Sequence, residues 1–303
     1  MNGSGVGLAQ RVCSGALGWL ACVRSKFALP VGVAAENVPT KALKSLGELG
    51  LAMSLVVREA VAGADDAQTA RVLLDFAWDQ LEHGAVLYRR QLHDPANSVP
   101  MELCAPFARA GYHHEPLTAL CAHLCSSRAA RTRELLPNRQ LAVIAAARQL
   151  GLPAPVEPMV LVERTWLGGQ PEPWMLTPAN AYALTHTVFH LTDFGADPAG
   201  LAQQLQDYLH TWLPVWVEVF TETQRWDLLA ELLIVDACLS TPAWYPQAWE
   251  RLAQARYPDG MVPNGVTRVP SDREKAFGNH HHPTLVAVIA GTLTVSRSVS
   301  ARA

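Results

Sequence analysis

Apolar residues recur along this chain at spacings of three and four nearly from end to end, the period of α-helices that bury one side. Residues 37–62 read as a helix with Pro39 near its first turn and Leu43, Leu46, Leu49, Leu51 and Val57 spread around it. Residues 67–92 carry two apolar stripes, one through Leu73, Phe76 and Leu87 and one through Leu74, Trp78 and Leu81, so this helix is expected between neighbours. Shorter helices are predicted at 100–110, 116–128 and 138–150. A stretch rich in proline and glycine, 151–178, breaks the rhythm and is a possible seam between two halves. Thr177-Pro178 then supplies a cap and first turn for a helix running to about Phe194, with Gly195 as the left-handed terminator. Helices at about 198–221, 226–239 and 246–256 follow. Residues 257–279 read as a long loop, interrupted by a capping box at Ser271-Asp272-Arg273-Glu274, before a last helix at about 283–295.

This pattern predicts an all-α protein: an N-terminal segment, 1–35, with one short helix, then a single helical domain over 36–303. Several helices are apolar on two sides, which favours a layered helical array, as a closed or partial α/α toroid ahead of an irregular bundle. Composition agrees. Half the residues are hydrophobic and 17% are charged, too little charge to coat many free-standing helices. A net charge of -3 gives no field to hold nucleic acid or an anionic membrane, and neither partner is expected. The apolar run from Val12 to Val23 is too short to span a bilayer and has no basic residue before Arg11, so a packed helix is expected there rather than a signal peptide. Six scattered cysteines without a CxxC pair fit reduced thiols in a cytoplasmic protein.

Candidate chemistry concentrates in the helix after Thr177. At about 100° per residue, Tyr182, Phe189, His190 and Asp193 all fall within about 60° of His186, while Leu184, Val188 and Leu191 occupy the opposite face. A solvated face should carry Lys, Arg or Glu, and from Tyr182 to Leu191 there is none, so the stripe reads as the lining of a cavity. Three uses stay open. His186 and His190 at i and i+4 with Asp193 can hold a divalent metal, the carboxylate can orient an imidazole for acid–base work, or the group can be hydrogen-bonded packing. No cofactor or metal is assigned.

Elsewhere, Asp227 and Glu231 sit in the first turns of their helix, where surface capping of the helix dipole is the expected role. Asp236 falls among Leu229, Leu232 and Leu233 and is expected to be buried, with a raised pKa unless paired. His280, His281 and His282 precede the predicted last helix, where an anion can be held at its N-terminus, and Arg268, Arg273 and Lys275 in the loop before them suggest a basic lid. His113, His114 and Glu115 with Cys121, His123 and Cys125 lack the knuckle spacing of a zinc site and read as structural. The chain has no Walker loop, dinucleotide fingerprint, GxSxG elbow or HExxH.

Thr185-His186-x-x-Phe189-x-x-Thr192-Asp193-Phe194-Gly195, Trp226-Asp227-x-x-x-Glu231-Leu232-Leu233, His281-x-x-Thr284-Leu285-Val286 and Glu36-Asn37-x-Pro39-Thr40-Lys41-x-Leu43 together resemble a poorly characterised actinobacterial all-helical family often found beside natural-product biosynthesis genes. The likeness covers Ala35 to Leu293 and implies a role in specialised metabolism without a defined activity. Tyr257-Pro258-Asp259-Gly260 is similar to turns of helical toroids such as terpenoid cyclases and protein prenyltransferases, but their DxDD and DDxxD motifs are missing, so that likeness bears on shape. The resulting expectation is a tailoring enzyme acting on a small, partly apolar molecule. Its catalytic residues would be His186, Asp193, Asp236 and His281, with Tyr182, Phe189, His190, Trp226 and Arg268 contacting the substrate. The alternative is a non-catalytic partner that binds another biosynthetic protein.

Overall fold

The computed structural model describes residues 3–132, 134–154, 156–266 and 273–301. Among them the chain is all-α, with no strand. In chain order the helices are α1 (Gly3–Cys22), α2 (Thr40–Glu59), α3 (Ala64–Gln80), α4 (Ala85–His93), α5 (Val99–Arg109), α6 (Glu115–Ser126), α7 (Arg128–Arg131), α8 (Pro137–Gln149), α9 (Pro158–Val162), α10 (Pro178–Thr192), α11 (Gln203–Glu222), α12 (Trp226–Cys238), α13 (Pro246–Ala255) and α14 (Arg273–Ser300).

Six of these helices meet pairwise in a closed circuit: α2 packs on α5, α5 on α8, α8 on α10, α10 on α12, α12 on α14, and α14 on α2. The contacts also fix direction, because early residues meet early residues and late meet late. Ser45 of α2 faces His281 of α14, and Glu59 bonds Ser296 fourteen residues on. Tyr182 of α10 bonds Asp227 of α12, and one turn later Thr185 bonds Glu231. Asn138 of α8 reaches Ala183 and Thr187, and at the other end Gln149 reaches Asp193. Gly47 and Gly50 let α5 approach closely, since a Cβ at either would enter the space of Leu103 or Phe107. The remaining long helices lie against this circuit: α1 on α14, α13 and α3, α3 on α2, and α11 on α12. Placed between α10, α11 and α14, α12 is buried at all of its residues.

Three expectations need correction. The run 67–92 is two helices, because Glu82, His83 and Gly84 turn into the left-handed region (φ 49°, 54° and 95°) and end α3. The N-terminal helix is twenty residues rather than short, and its apolar face packs along α14. Finally, α14 starts at Arg273, so the histidine triplet lies inside a helix and Pro283 in its interior. That helix extends upstream because Phe277 is worth burying: its ring packs edge-on to Phe27 and stacks on His281. An anion site at a helix start beside the histidines is thereby removed.

Candidate functional site

A cavity of about 600 Å³ opens between α2, α10, α12 and α14. A second chamber of about 250 Å³ continues toward α5 and α8, and the two share Lys44, Glu48, Leu51, His186, Phe189 and Phe194. The lining follows the helix direction. Near the helix starts it is polar: Lys41, Lys44, Ser45 and Glu48 from α2, Tyr182 and His186 from α10, Glu231 from α12, and His281 and His282 from α14. Farther along the same helices it becomes Leu51, Phe189, Ile234, Leu285, Val286 and Ile289.

Glu231 is the centre of the polar half. Its residue is only 2% exposed, one oxygen accepts the Thr185 hydroxyl, and the other lies 3.7 Å from His186 Nε2 and 3.8 Å from His282 Nε2. Those two separations exceed a hydrogen bond, and each leaves the pair open to a bridging polar atom. On its other side His282 Nδ1 lies 3.3 Å from Glu48. Burial pulls the His282 pKa down, but the Glu48 hydrogen bond and charge outweigh it, so the net shift is upward. Burial likewise lifts the Glu48 carboxyl, and His282 and Lys44 more than reverse that. Tyr182 donates to Asp227, and burial together with that carboxylate holds its phenol protonated.

The three consecutive histidines separate by direction. His280 Nδ1 accepts the Asn264 N–H and fixes the preceding loop. His281 turns to Ser45 and the Phe277 carbonyl, and burial lowers its pKa. His282 enters the cavity.

The residues predicted from the sequence divide accordingly. Tyr182, His186 and Phe189 line the main cavity with His281, and His190 lines the second chamber. Asp193 does not join His186. It caps α10 in the left-handed conformation (φ 48°), and its carboxylate is taken by Arg109 and by Gln149 at 2.9 Å. Arg58 closes the same end of the helix, donating at 2.8 Å to the carbonyls of both Asp193 and Phe194. Asp236 is buried as expected, but it faces the chain after its own helix, accepting from the backbone N–H groups of Ala243 (2.7 Å) and Trp244 (2.9 Å). Burial still raises its pKa to about 6. Trp226 packs in the core at the start of α12 and lines neither chamber. Arg268 and the start of the capping box lie outside the described residues. Among the described residues no group of three or more His, Cys, Asp and Glu is placed to hold a metal ion, and none of the cysteines is in a disulfide. In the cluster around His114, that ring instead caps α6 by accepting the Leu117 N–H.

A family model described as "Domain of unknown function (DUF6895)" matches residues 13–292, which is most of the chain. The chain belongs to the DUF6895 family. No curated protein and no solved structure matches it. The DUF6895 match begins inside α1 and ends inside α14, so it takes in the other five helices of the circuit whole and every residue of the cavity. No described helix of this DUF6895 chain is long and apolar enough to cross a membrane.

Sequence reasoning did not single out Glu48, Ser45 or His282, and it misplaced Asp227 and Glu231, which it set at the surface and which are buried. A signal was present in α12: apart from three acids, Trp226 to Cys238 is entirely apolar, so no face of it suits solvent and its acids had to be buried. No comparable signal marks Ser45 or Glu48, which sit in an ordinary amphipathic helix.

His282 and His190 of this DUF6895 chain should titrate on opposite sides of the ordinary imidazole value, resolved by NMR of their ring protons. His282 should deprotonate above 6.5, its stabilising contribution being complete below that pH and lost as pH rises through its raised folded pKa. His190 has Nε2 shut from solvent without a partner, and burial, with His186 and Arg139 nearby, lowers its pKa to about 3. It should stay neutral well below 6.5 and cost stability as pH falls from there. Ordinary titration of both rings would contradict the closed geometry.

Proposed function

We propose that this DUF6895 chain is an acid–base enzyme acting on a small, partly apolar molecule held between α2, α10, α12 and α14, within specialised metabolism. The reading takes the six-helix circuit as an α/α toroid with its working end at the helix starts. One observation carries it: the buried Glu231 faces two imidazole nitrogens at 3.7 and 3.8 Å with no direct bond to either. A structural ion pair would close those gaps; a site that takes up a substrate O–H or N–H leaves them open. In this reading Glu231 accepts a proton from the substrate, and His186 or the Glu48-backed His282 supplies one. The apolar wall from Leu51 to Ile289 holds the rest of the molecule. The place in natural-product metabolism comes from the motif resemblance.

Native mass spectrometry of the full chain isolated from its own cells tests the reading. Wild-type protein should carry a small molecule released on denaturation, and Leu51→Trp, which fills the junction of the two chambers, should carry none while keeping its helicity. An empty wild-type cavity with a co-purifying protein would instead favour the scaffold reading, whose support is an apolar surface pocket to which the exposed Trp174, Val215 and Val219 contribute.

A further inference from the structure

Most hydroxyls on helices of this protein bond back to their own helix, as Thr187 does to Ala183, Thr192 to Val188 and Thr284 to His280. Ser45 departs from that habit. Its Oγ lies 3.0 Å from His281 Nε2 on the neighbouring helix, and both residues line the main cavity. The other ring nitrogen, Nδ1, lies 2.9 Å from the Phe277 carbonyl, which only accepts, so Nδ1 carries the proton and Nε2 is left to receive one from Ser45. Phe277 stacks on the imidazole with centroids 4.7 Å apart and Phe27 meets it edge-on at 5.9 Å, so the ring cannot turn away. Glu48 stands 4.0 Å from the same Nε2, close enough to stabilise an imidazolium. The pair therefore has a hydroxyl, a base fixed in the accepting tautomer and a carboxylate for the charge that base acquires.

We propose that Ser45 is a nucleophile, activated by His281, that accepts an acyl group from an ester or thioester whose acyl chain lies along the wall formed by Leu51, Leu285 and Val286. The inference rests on the reading that the cavity admits a partly apolar small molecule. Ser45 Oγ attacks the acyl carbon, forming a C–O bond, and its proton passes to His281 Nε2. The tetrahedral intermediate collapses, the bond to the leaving oxygen or sulfur breaks, and the leaving group departs with the proton from His281. Water or an acceptor alcohol or amine then attacks the acyl-serine, giving its proton to His281, and the proton returns to Ser45 Oγ as the acyl group leaves. No redox step is involved. Ser45 also borders a smaller pocket of about 250 Å³ beside Phe27 and Pro39, which offers room for the leaving group away from the acyl chain.

The test is intact-protein and peptide mass spectrometry of the full chain after incubation with p-nitrophenyl butyrate, and separately with an alkyl fluorophosphonate. One adduct is expected, mapping to Ser45, absent in Ser45→Ala, and formed about 10²-fold or more slowly in His281→Gln. Should His281→Gln fail to fold, the wild-type labelling rate against pH decides: it should climb as His281 deprotonates, at a pH below 6.5, and then level off. An adduct only at another residue, no adduct, or Ser45 labelling indifferent to pH would overturn the proposal. Wild-type protein that retains its small molecule in native mass spectrometry yet takes up no acyl group would overturn this inference alone.

Discussion

Replacing Asp193 with alanine should cost about 3 kcal/mol of stability, read from chemical denaturation at pH 7, because it takes the carboxylate from the largely buried Arg109 guanidinium, whereas Arg58 keeps Glu59. Arg109 and Arg58 converge on Asp193 from the ends of α5 and α2, and Gln149 arrives from the end of α8, so one side chain ties together four helices of the circuit. All three charged side chains are largely withdrawn from water, at 13%, 17% and 27% exposure for Arg109, Arg58 and Asp193, so screening removes only part of the interaction. Without the carboxylate the two guanidinium groups repel, and Arg109 already has one nitrogen with no partner. Alanine also fits the left-handed backbone of position 193 less well than aspartate does. Asp193→Asn separates these causes: it tolerates that backbone and keeps an acceptor for Gln149, so it should lose distinctly less than alanine. Equal losses in the two variants would assign the whole effect to charge.

The other large effect is on chemistry. Glu231→Gln keeps the shape of the buried side chain and an oxygen for the Thr185 hydroxyl, so its unfolding free energy should stay within about 1 kcal/mol of wild type. What it removes is the carboxylate facing His186 and His282, and if Glu231 is the proposed proton acceptor, turnover should fall by about 10²- to 10⁴-fold, the range for loss of a general base. His186→Ala should give a smaller fall, because His282 faces the same Glu231 oxygen. A large loss of stability in Glu231→Gln would instead make Glu231 a packing residue.

Helical periodicity revealed one wall of this cavity and little of the others. On α10 the absence of Lys, Arg and Glu marked Tyr182, His186 and Phe189 as inward, and they line the cavity. Thr177 likewise caps the helix as its sequence implies, accepting the Asn180 N–H. The same angular argument failed for Asp193, because it assumes helical backbone to the end, whereas α10 stops at Thr192 and the left-handed residue after it swings the carboxylate toward Arg109. Asp236 shows a different limit. Its burial was legible, but its partners are backbone N–H groups seven and eight residues on, and these carry no side-chain signature. Glu48 and His282 lie 234 positions apart, and spacing within a helix says nothing about which helices become neighbours. Even in α12, the sequence signal was for burial of Asp227 and Glu231, not for what they would face.

In the proposed function Glu231 moves protons on a bound small molecule. That role is tested most directly by adding purified wild-type or Glu231→Gln protein to a small-molecule extract of cells lacking this chain, and following every mass by chromatography and mass spectrometry. Wild-type protein should consume at least one compound and yield a related product, while Glu231→Gln, folded and melting like wild type, should leave that compound intact over the same time. Identical conversion by both proteins, or none by wild type, would contradict the account.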